Sequence, residues 1–326
     1  VILDCQGHTI DGTDTYNTYG IYISRSDIIN TNITIKNCIL TDWYYGIYLY
    51  NSSYNNLINI TANSNRYGLY LSHSNNNTLS SITANYNSYG LLFSSSDSNT
   101  LTNITTISNS YYSLFLGASN NNTLTNITTA NSGYYGLYLS GSNNNTLTNI
   151  ISYSNSNCGL YLSSSNNNTL TNIAVYSNPN YGLYLSYSNS NTLTNITANS
   201  NSQGLYLYSS SFNTLTNIIA KSNSNYGLYL GTSSFNTLTN ITANSNYDGL
   251  FLSSSSNNTL TDITANSNSY GLYIYYSNSN TIKDSKFQDN TNYGIYLYSS
   301  SDNLIYNNIF NNTNNFYFGG DIYANY

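Results

Sequence analysis

The polar and apolar positions of this chain recur with a fixed step. From Gly46 onward a glycine opens a short apolar run at every 22nd or 23rd residue: Gly46, Gly68, Gly90, Gly136, Gly159, Gly182, Gly204, Gly227, Gly249, Gly271 and Gly294, with Ser113 standing in once. A period of this size means supersecondary units that stack, each on the next. Inside one unit the apolar residues alternate. Leu69 and Leu71 flank Tyr70, and Ile82 and Ala84 flank Thr83, which is strand periodicity. Leu79 and Ile82 are three apart, so the chain bends between them. The pattern predicts an all-β parallel solenoid of about thirteen coils of 22–23 residues, with three short strands per coil.

Inward columns follow from the same alignment. Leucines recur from Leu57 to Leu260 and isoleucines from Ile60 to Ile263; small residues (Ala62, Ala84, Thr106, Ser152, Ala198, Ala243) keep the interior narrow until Phe287 and Ile309 widen it. A polar column runs through Asn65, Asn87, Asn109, Asn155, Asn178, Asn201, Asn223, Asn246, Asn268, Asn290 and Asn312, with Ser132 as its exception. Asn tolerates left-handed turns and can bond its stacked neighbour. From this Asn to the next glycine the step is three residues (Asn201 to Gly204) or four (Asn223 to Gly227), so length variation is confined to one turn. The only proline, Pro179, falls there, where a missing N–H harms no ladder. With strands about 4.8 Å apart, the coils predict one undivided rod of roughly 60 Å. Residues 1–45 form less regular coils, 46–281 regular repeats and 282–326 divergent ones. Methionine is absent and no polar repeat closes either end; the expectation is a segment of a longer protein, or rods that meet end to end.

Charge narrows the function. Charged residues are 6% of the chain, glutamate is absent and the net charge is -6. Nucleic acid, which needs basic patches, is excluded as a partner, and no apolar run approaches the ~20 residues of a membrane span. N-x-S/T sequons, among them Asn32, Asn59, Asn103, Asn126, Asn195 and Asn240, are candidate glycan acceptors, although the repeat itself manufactures N-N-T and N-I-T. The three cysteines are not a disulfide framework. Cys38 falls in the isoleucine column as a core residue, Cys158 replaces a tyrosine before Gly159, and a bridge between Cys5 and Cys38 is left open.

The opening Leu3-Asp4-Cys5-Gln6-Gly7-His8-Thr9-Ile10-Asp11-Gly12, the repeated Y-G-I/L-Y-L and the late Asn307-Asn308-Ile309-Phe310-Asn311-Asn312 carry a family resemblance. They resemble the parallel β-helix repeats of NosD-like and carbohydrate-binding/sugar-hydrolase domains, frequent in archaeal surface proteins. The resemblance implies right-handed coiling and an extracellular, cell-surface location. It is specific for fold and poor for activity. The copper role implied by the NosD name finds no donors: no Met, only His8 and His73, and scattered cysteines. No cofactor or metal is expected.

Catalysis needs a paired acid and base, and from Ser98 through Ala220 there is no Asp, Glu, Lys, Arg or His. Two acidic groups remain. Asp262 and Asp284 share a column one coil apart, with Asp289, Asp302, Lys283 and Lys286 nearby: a candidate cation or acidic site, or a solvated face neutralised by its lysines. Asp4, His8, Asp11 and Asp14 sit in the opening motif, where a capping role is expected. Thirty-nine tyrosines point elsewhere. One set follows the marker by two (Tyr22, Tyr48, Tyr70, Tyr138, Tyr161, Tyr184, Tyr206, Tyr229, Tyr273, Tyr296), and another directly precedes it (Tyr19, Tyr45, Tyr67, Tyr89, Tyr112, Tyr135, Tyr181, Tyr226, Tyr270, Tyr293). Such a stripe is either a ring-on-ring ladder that stabilises the solenoid or a contact surface. The reading is a non-catalytic extracellular structural protein of a surface layer, adhesin or filament, with copies of itself, other surface proteins or glycans as partners. The alternatives are a carbohydrate-binding module using the tyrosines and a polysaccharide lyase or hydrolase using the C-terminal aspartates.

Overall fold

The computed structural model describes residues 1–24 and 32–321, so the terminal Tyr323–Tyr326 run lies outside the described residues. The chain divides into two compact units, 1–159 with 165–169, and 160–164 with 170–326. Both are parallel β-solenoids, as the periodicity predicts.

In the first unit a tyrosine-bearing sheet runs through Tyr19–Ser24, Tyr45–Tyr50, Tyr67–Ser72, Tyr89–Ser94, Tyr112–Gly117 and Tyr135–Ser140. A threonine-bearing sheet runs through Thr34–Thr41, Asn56–Asn63, Thr78–Thr83, Thr100–Ile107 and Thr123–Ala130. Like residues pair in register, Leu101 with Leu124 and Ile104 with Ile127. The second unit repeats the plan with Tyr181–Ser186, Gln203–Tyr208, Tyr226–Gly231, Asp248–Ser253, Tyr270–Tyr275 and Tyr293–Tyr298 opposite Thr192–Asn199, Thr214–Ile219, Thr237–Thr242 and Thr259–Asn266. The bend between Leu and Ile is present, but in most coils one strand runs through it, because pairing skips only the corner residue. Near the C-terminus the strand does split, into Thr281–Lys283 and Lys286–Gln288. Coils therefore carry two or three strands.

The path of each coil is set by four corners. In the coil after Gly68 they are His73, Asn76, Ser81 and Tyr86, all with φ between 51° and 58°. A residue in this left-handed region is followed each time by one whose side chain turns inward: Ser74, Asn77, Ile82 and Asn87, all buried. The same four-corner pattern recurs after Gly204 (Ser209, Phe212, Asn217, Ser222). Asn, Asp and Ser predominate at the corners because short polar side chains accept this conformation with least cost.

Three of the four inward residues are polar, and they satisfy one another. Asn213 Oδ1 accepts from Asn191 N at 2.8 Å and from Asn191 Nδ2 at 3.2 Å, while its own Nδ2 donates to Ser188 O at 3.2 Å and Asn236 Oδ1 at 3.2 Å. The serine corner works alike: Ser210 Oγ accepts from Ser188 N at 3.0 Å. Buried polar groups are tolerated here because almost every one is bonded to the coil above or below. The fourth inward residue, Ile, joins the leucines in a core with exposure near zero.

The marker glycine is required by a close approach. A β-carbon on Gly90 would stand 2.3 Å from the carbonyl oxygen of Ser113 and 3.1 Å from Asn109 Nδ2. Most markers face the buried Asn of the following coil in this way, among them Gly68, Gly204, Gly227 and Gly249. The two exceptions of the sequence pattern are consequently one event. At Ser113 the marker gains a side chain, and the facing Asn shrinks to Ser132, whose Oγ lies 2.6 Å from Ser113 Oγ.

The last coil departs from the predicted register. Ile305, not Leu304, pairs with Ile282, and Phe310, not Ile309, pairs with Phe287. Leu304 and Ile309 are 43% and 53% exposed. The constant spacing from anchor to Asn fails here by one residue, and with a side-chain period of two a one-residue slip exchanges inside for outside. Cys38 is buried in the isoleucine column as expected, but it is also bonded to Cys5, so the open alternative closes as a disulfide.

Two stability predictions follow from this packing. Ser132→Asn alone overfills the site and costs about 2 kcal/mol; Ser113→Gly in the same chain restores most of it, a coupling read by urea denaturation of the double-mutant cycle. Asn213→Ala leaves the buried Asn191 N–H unpaired and costs about 3 kcal/mol, whereas Asn217→Gly, at an exposed left-handed corner, stays within about 0.5 kcal/mol of wild type. Equal losses would contradict the ladder account.

Candidate functional site

The two tyrosine sets converge on one face. Within each strand Y-G-L-Y-L-S the first and fourth residues both point outward, because Gly and the following Leu are both turned in. In the first unit Tyr45 and Tyr48 stack at 4.9 Å, and Tyr48 stacks on Tyr70 of the next coil at 4.9 Å with planes 6° apart. Tyr112 stacks on Tyr135 at 5.4 Å, and Tyr138 lies against Phe115 at 5.1 Å. In the second unit Tyr161 stacks on Tyr184 at 4.7 Å, Tyr206 on Tyr229 at 4.4 Å, and Tyr273 meets Tyr296 edge to face at 4.6 Å.

These rings are half-buried and not fully presented to solvent. Where they stack, their faces are turned to one another along the ladder, and their edges remain outward. Burial holds the phenols un-ionised: those of Tyr48 and Tyr273 are pushed up to about 12, and that of Tyr206 is raised. The most exposed aromatics lie elsewhere, several of them at corners, such as Tyr187 and Phe212 at 57% and 60%.

The acidic candidates occupy corners. Asp262 and Asp284 both have φ 55° and take the place that Asn holds in the exposed corner column, where Asn240 Nδ2 donates to Asn217 Oδ1 at 2.8 Å. Asn307 Nδ2 donates to Asp284 Oδ1. Asp289 stands at a different corner, φ 54°. At the other terminus Asp4 heads the same kind of column: Asn37 Nδ2 donates to its Oδ1 at 3.0 Å, and Lys36 Nζ lies 3.1 Å from its Oδ2. The Asn37 bond, a backbone bond from Gln6 and Lys36 hold its carboxyl below the usual range. Asp11 accepts from Thr41 Oγ1 at 2.7 Å. Among the described residues no three His, Cys, Asp or Glu side chains converge as metal ligands.

Most of the sequon asparagines belong to the exposed corner column as well. Asn59, Asn126, Asn195 and Asn240 each donate Nδ2 to the Asn of the preceding coil, Asn126 to Asn103 at 3.0 Å. Asn32 and Asn103 are likewise exposed with positive φ.

One residue escaped the sequence reading. Asp248 sits in the column that precedes the marker, where its register partners are Tyr226 and Tyr270. It is 2% exposed, and its Oδ1 has no hydrogen-bond partner. Burial pushes the carboxyl up to about 7. Gln203 interrupts the same column, with Tyr181 as register partner, and its Oε1 is also buried without a partner. The signal was visible in the sequence, since Gln203 and Asp248, like Cys158, break the run of tyrosines before the marker.

Comparison with known proteins fits this geometry. The family described as right handed beta helix region matches residues 89–243. The family described as periplasmic copper-binding protein (NosD) matches residues 1–126 and 213–326. The chain belongs to the NosD family. No curated protein sequence matches it. Among solved structures it is similar to the Dettilon tailspike protein gp208, with a TM-score of 0.60 and 11% identity over 86% of this chain and 62% of that one. It is also similar to the periplasmic alginate epimerase AlgG, with a TM-score of 0.53 and 12% identity over 90% of this chain and 77% of that one. The mannuronan C-5 epimerase AlgE4 A-module of Azotobacter vinelandii follows, at 0.50 and 13% over 91% and 85%. At these identities the likeness is one of fold. The chain spans less than two thirds of the tailspike.

The donor set does not fit copper. The chain has no Met, Cys5 and Cys38 are spent in the disulfide, and Cys158 is buried; soft-metal sites need clustered sulfur and nitrogen ligands. The disulfide, stable in oxidising compartments, and the family's periplasmic description both point outside the cytoplasm. No helix among the described residues is long and apolar enough to cross a membrane.

Asp248 makes a pH prediction. Its folded value lies above its ordinary 3.8, so the unfolded chain ionises first as pH rises. Stability is therefore greatest below about pH 4, declines between pH 4 and 7, and is level above, by a few kcal/mol at most. Denaturant titrations at acid and neutral pH should show this decline in the wild type and a flattened one in Asp248→Asn. An unchanged slope in the variant would sink the assignment.

Proposed function

We propose that this chain is a non-catalytic structural segment of an extracellular surface protein, which associates through its aromatic sheet face with copies of itself or with other surface proteins. The observation that carries this reading is the merging of two tyrosine columns into one largely aromatic, half-buried face in each unit, broken in the second unit by Gln203 and the buried Asp248. A band of this kind exceeds what a solitary surface usually leaves uncovered. Its outward ring edges carry hydroxyls that can bond an apposed copy in register. Among the C-terminal aspartates, Asp262 and Asp284 stack in one corner column and Asp289 stands at another corner, and all three have left-handed backbone conformations that account for Asp there.

A glycan along the same face is the second reading. It draws support from the tailspike and alginate epimerases that share the coil, two of which are named for a polysaccharide. Sugar stacking needs exposed ring faces, and in the stacked pairs those faces are turned to one another. The structural reading is therefore preferred.

Electron microscopy of native material should show ordered assemblies. A chain carrying Tyr206→Ser and Tyr229→Ser should remain folded by circular dichroism and stay dispersed. Assembly that persists in this variant, or dispersed wild-type protein that binds a glycan array, would overturn the proposal.

A further inference from the structure

Two orphan acceptors lie in one column of the aromatic face. Asp248 Oδ1 and Gln203 Oε1 are buried, and neither has a hydrogen-bond donor. Leaving such an atom unpaired costs about 1–3 kcal/mol, more if it is charged. The column is otherwise tyrosine here, with Tyr226 between the two acceptors and Tyr270 after Asp248. Phenols could have donated to the carboxylate, yet Oδ1 is left without a donor.

Among the described residues no cation forms a salt bridge with Asp248; the salt bridge formed is Lys36–Asp4, in the other unit. The groups whose charge Asp248 influences are the phenols of Tyr226, Tyr270 and Tyr273, all raised chiefly by burial. A buried carboxylate without a donor calls for a cationic donor, which an organic ammonium ion supplies with the carboxylate as its counter-ion. Tyr247, the residue before Asp248, is 53% exposed and lies edge to face with Tyr270 at 6.1 Å, so the ring nearest in sequence to the acceptor is open to solvent.

The second acceptor selects the ligand's shape. Gln203 and Asp248 are separated by two coils, about 10 Å at the spacing of paired strands. One acceptor is a carboxylate and the other a neutral amide oxygen, and both call for N–H donors at that distance.

We propose that the aromatic face between Gln203 and Asp248 is a binding site for a linear polyamine, one terminal ammonium on Asp248 and a second amine on Gln203 across the ring of Tyr226. The site lies on the face assigned above to self-association, but it follows from the two unpaired acceptors and does not rest on that reading. A polyamine is also a ligand that a chain of net charge -6 attracts non-specifically, so the test must separate the site from the surface.

Calorimetric titration of the 326-residue chain with spermidine at about 0.15 M salt, where exposed charges are screened, makes that separation. Wild type should bind one equivalent, about tenfold tighter than butylamine, and tighter at pH 8 than at pH 6 as the carboxyl ionises. Asp248→Asn, which keeps the shape of the side chain, should lose at least tenfold with both amines and lose the pH dependence. Gln203→Leu should abolish only the advantage of spermidine over butylamine. Circular dichroism checks that each variant is folded. Equal binding by wild type and Asp248→Asn, or no saturable binding at pH 8, would overturn the proposal.

Discussion

A peptide chain that must return to its own axis every 22 or 23 residues needs corners, and here each corner is a single left-handed residue followed by an inward side chain. That local rule governs the rest. Left-handed φ costs L-residues roughly 1–2 kcal/mol, so Asn, Asp and Ser accumulate at corners. The inward residue after each corner must then be either apolar or fully hydrogen-bonded, because it lies inside the coil. Ile fills one such position, while Ser and Asn fill the others by bonding coil to coil. Low charge, high Asn and Ser content and narrow interior are three results of one turning geometry.

That geometry also accounts for the acidic residues that a reader would first test for catalysis. Asp262, Asp284 and Asp289 are corner residues, and Asp is among the side chains that tolerate this conformation. Asp248 is different. It occupies a strand, faces the aromatic column and breaks the rule that buried polar groups are paired. Departures of this kind, unlike acidic content, mark where a structure holds something that its own stability does not require.

Much of this was legible in the sequence. The strand period, the leucine and isoleucine columns, the Asn65–Asn312 ladder and the glycine marker are repeated often enough that each position is read many times over. What was illegible is pairwise or singular. Ser113 and Ser132 appear as two unrelated exceptions until the close approach of marker and Asn makes them complementary. The buried ladder through Asn77, Asn99 and Asn122 was hidden, since N-N-T reads equally well as a solvated turn. Ile309 was placed inside by a spacing that holds in all earlier coils and slips in the last. The Cys5–Cys38 bond spans coils that the repeat does not describe. Asp248 was overlooked because a column named for its tyrosines invites the reader to skip its interruptions.

The buried ladders have a direction. Along most of the ladder an Asn oxygen accepts from the backbone N–H of the Asn one coil before, as Asn213 Oδ1 does from Asn191 N. The Asn backbone N–H donates to the coil after, as Asn213 N does to Asn236 Oδ1, so most coils receive and pass on the same set of bonds. A coil deleted or duplicated whole leaves its two neighbours with matching partners. Within such a ladder, copy number is close to neutral for stability per coil, while a change of a few residues inside a coil breaks several bonds at once. Chains built this way can lengthen or shorten in whole-coil steps, and unequal recombination between the near-identical repeats of the gene would supply those steps.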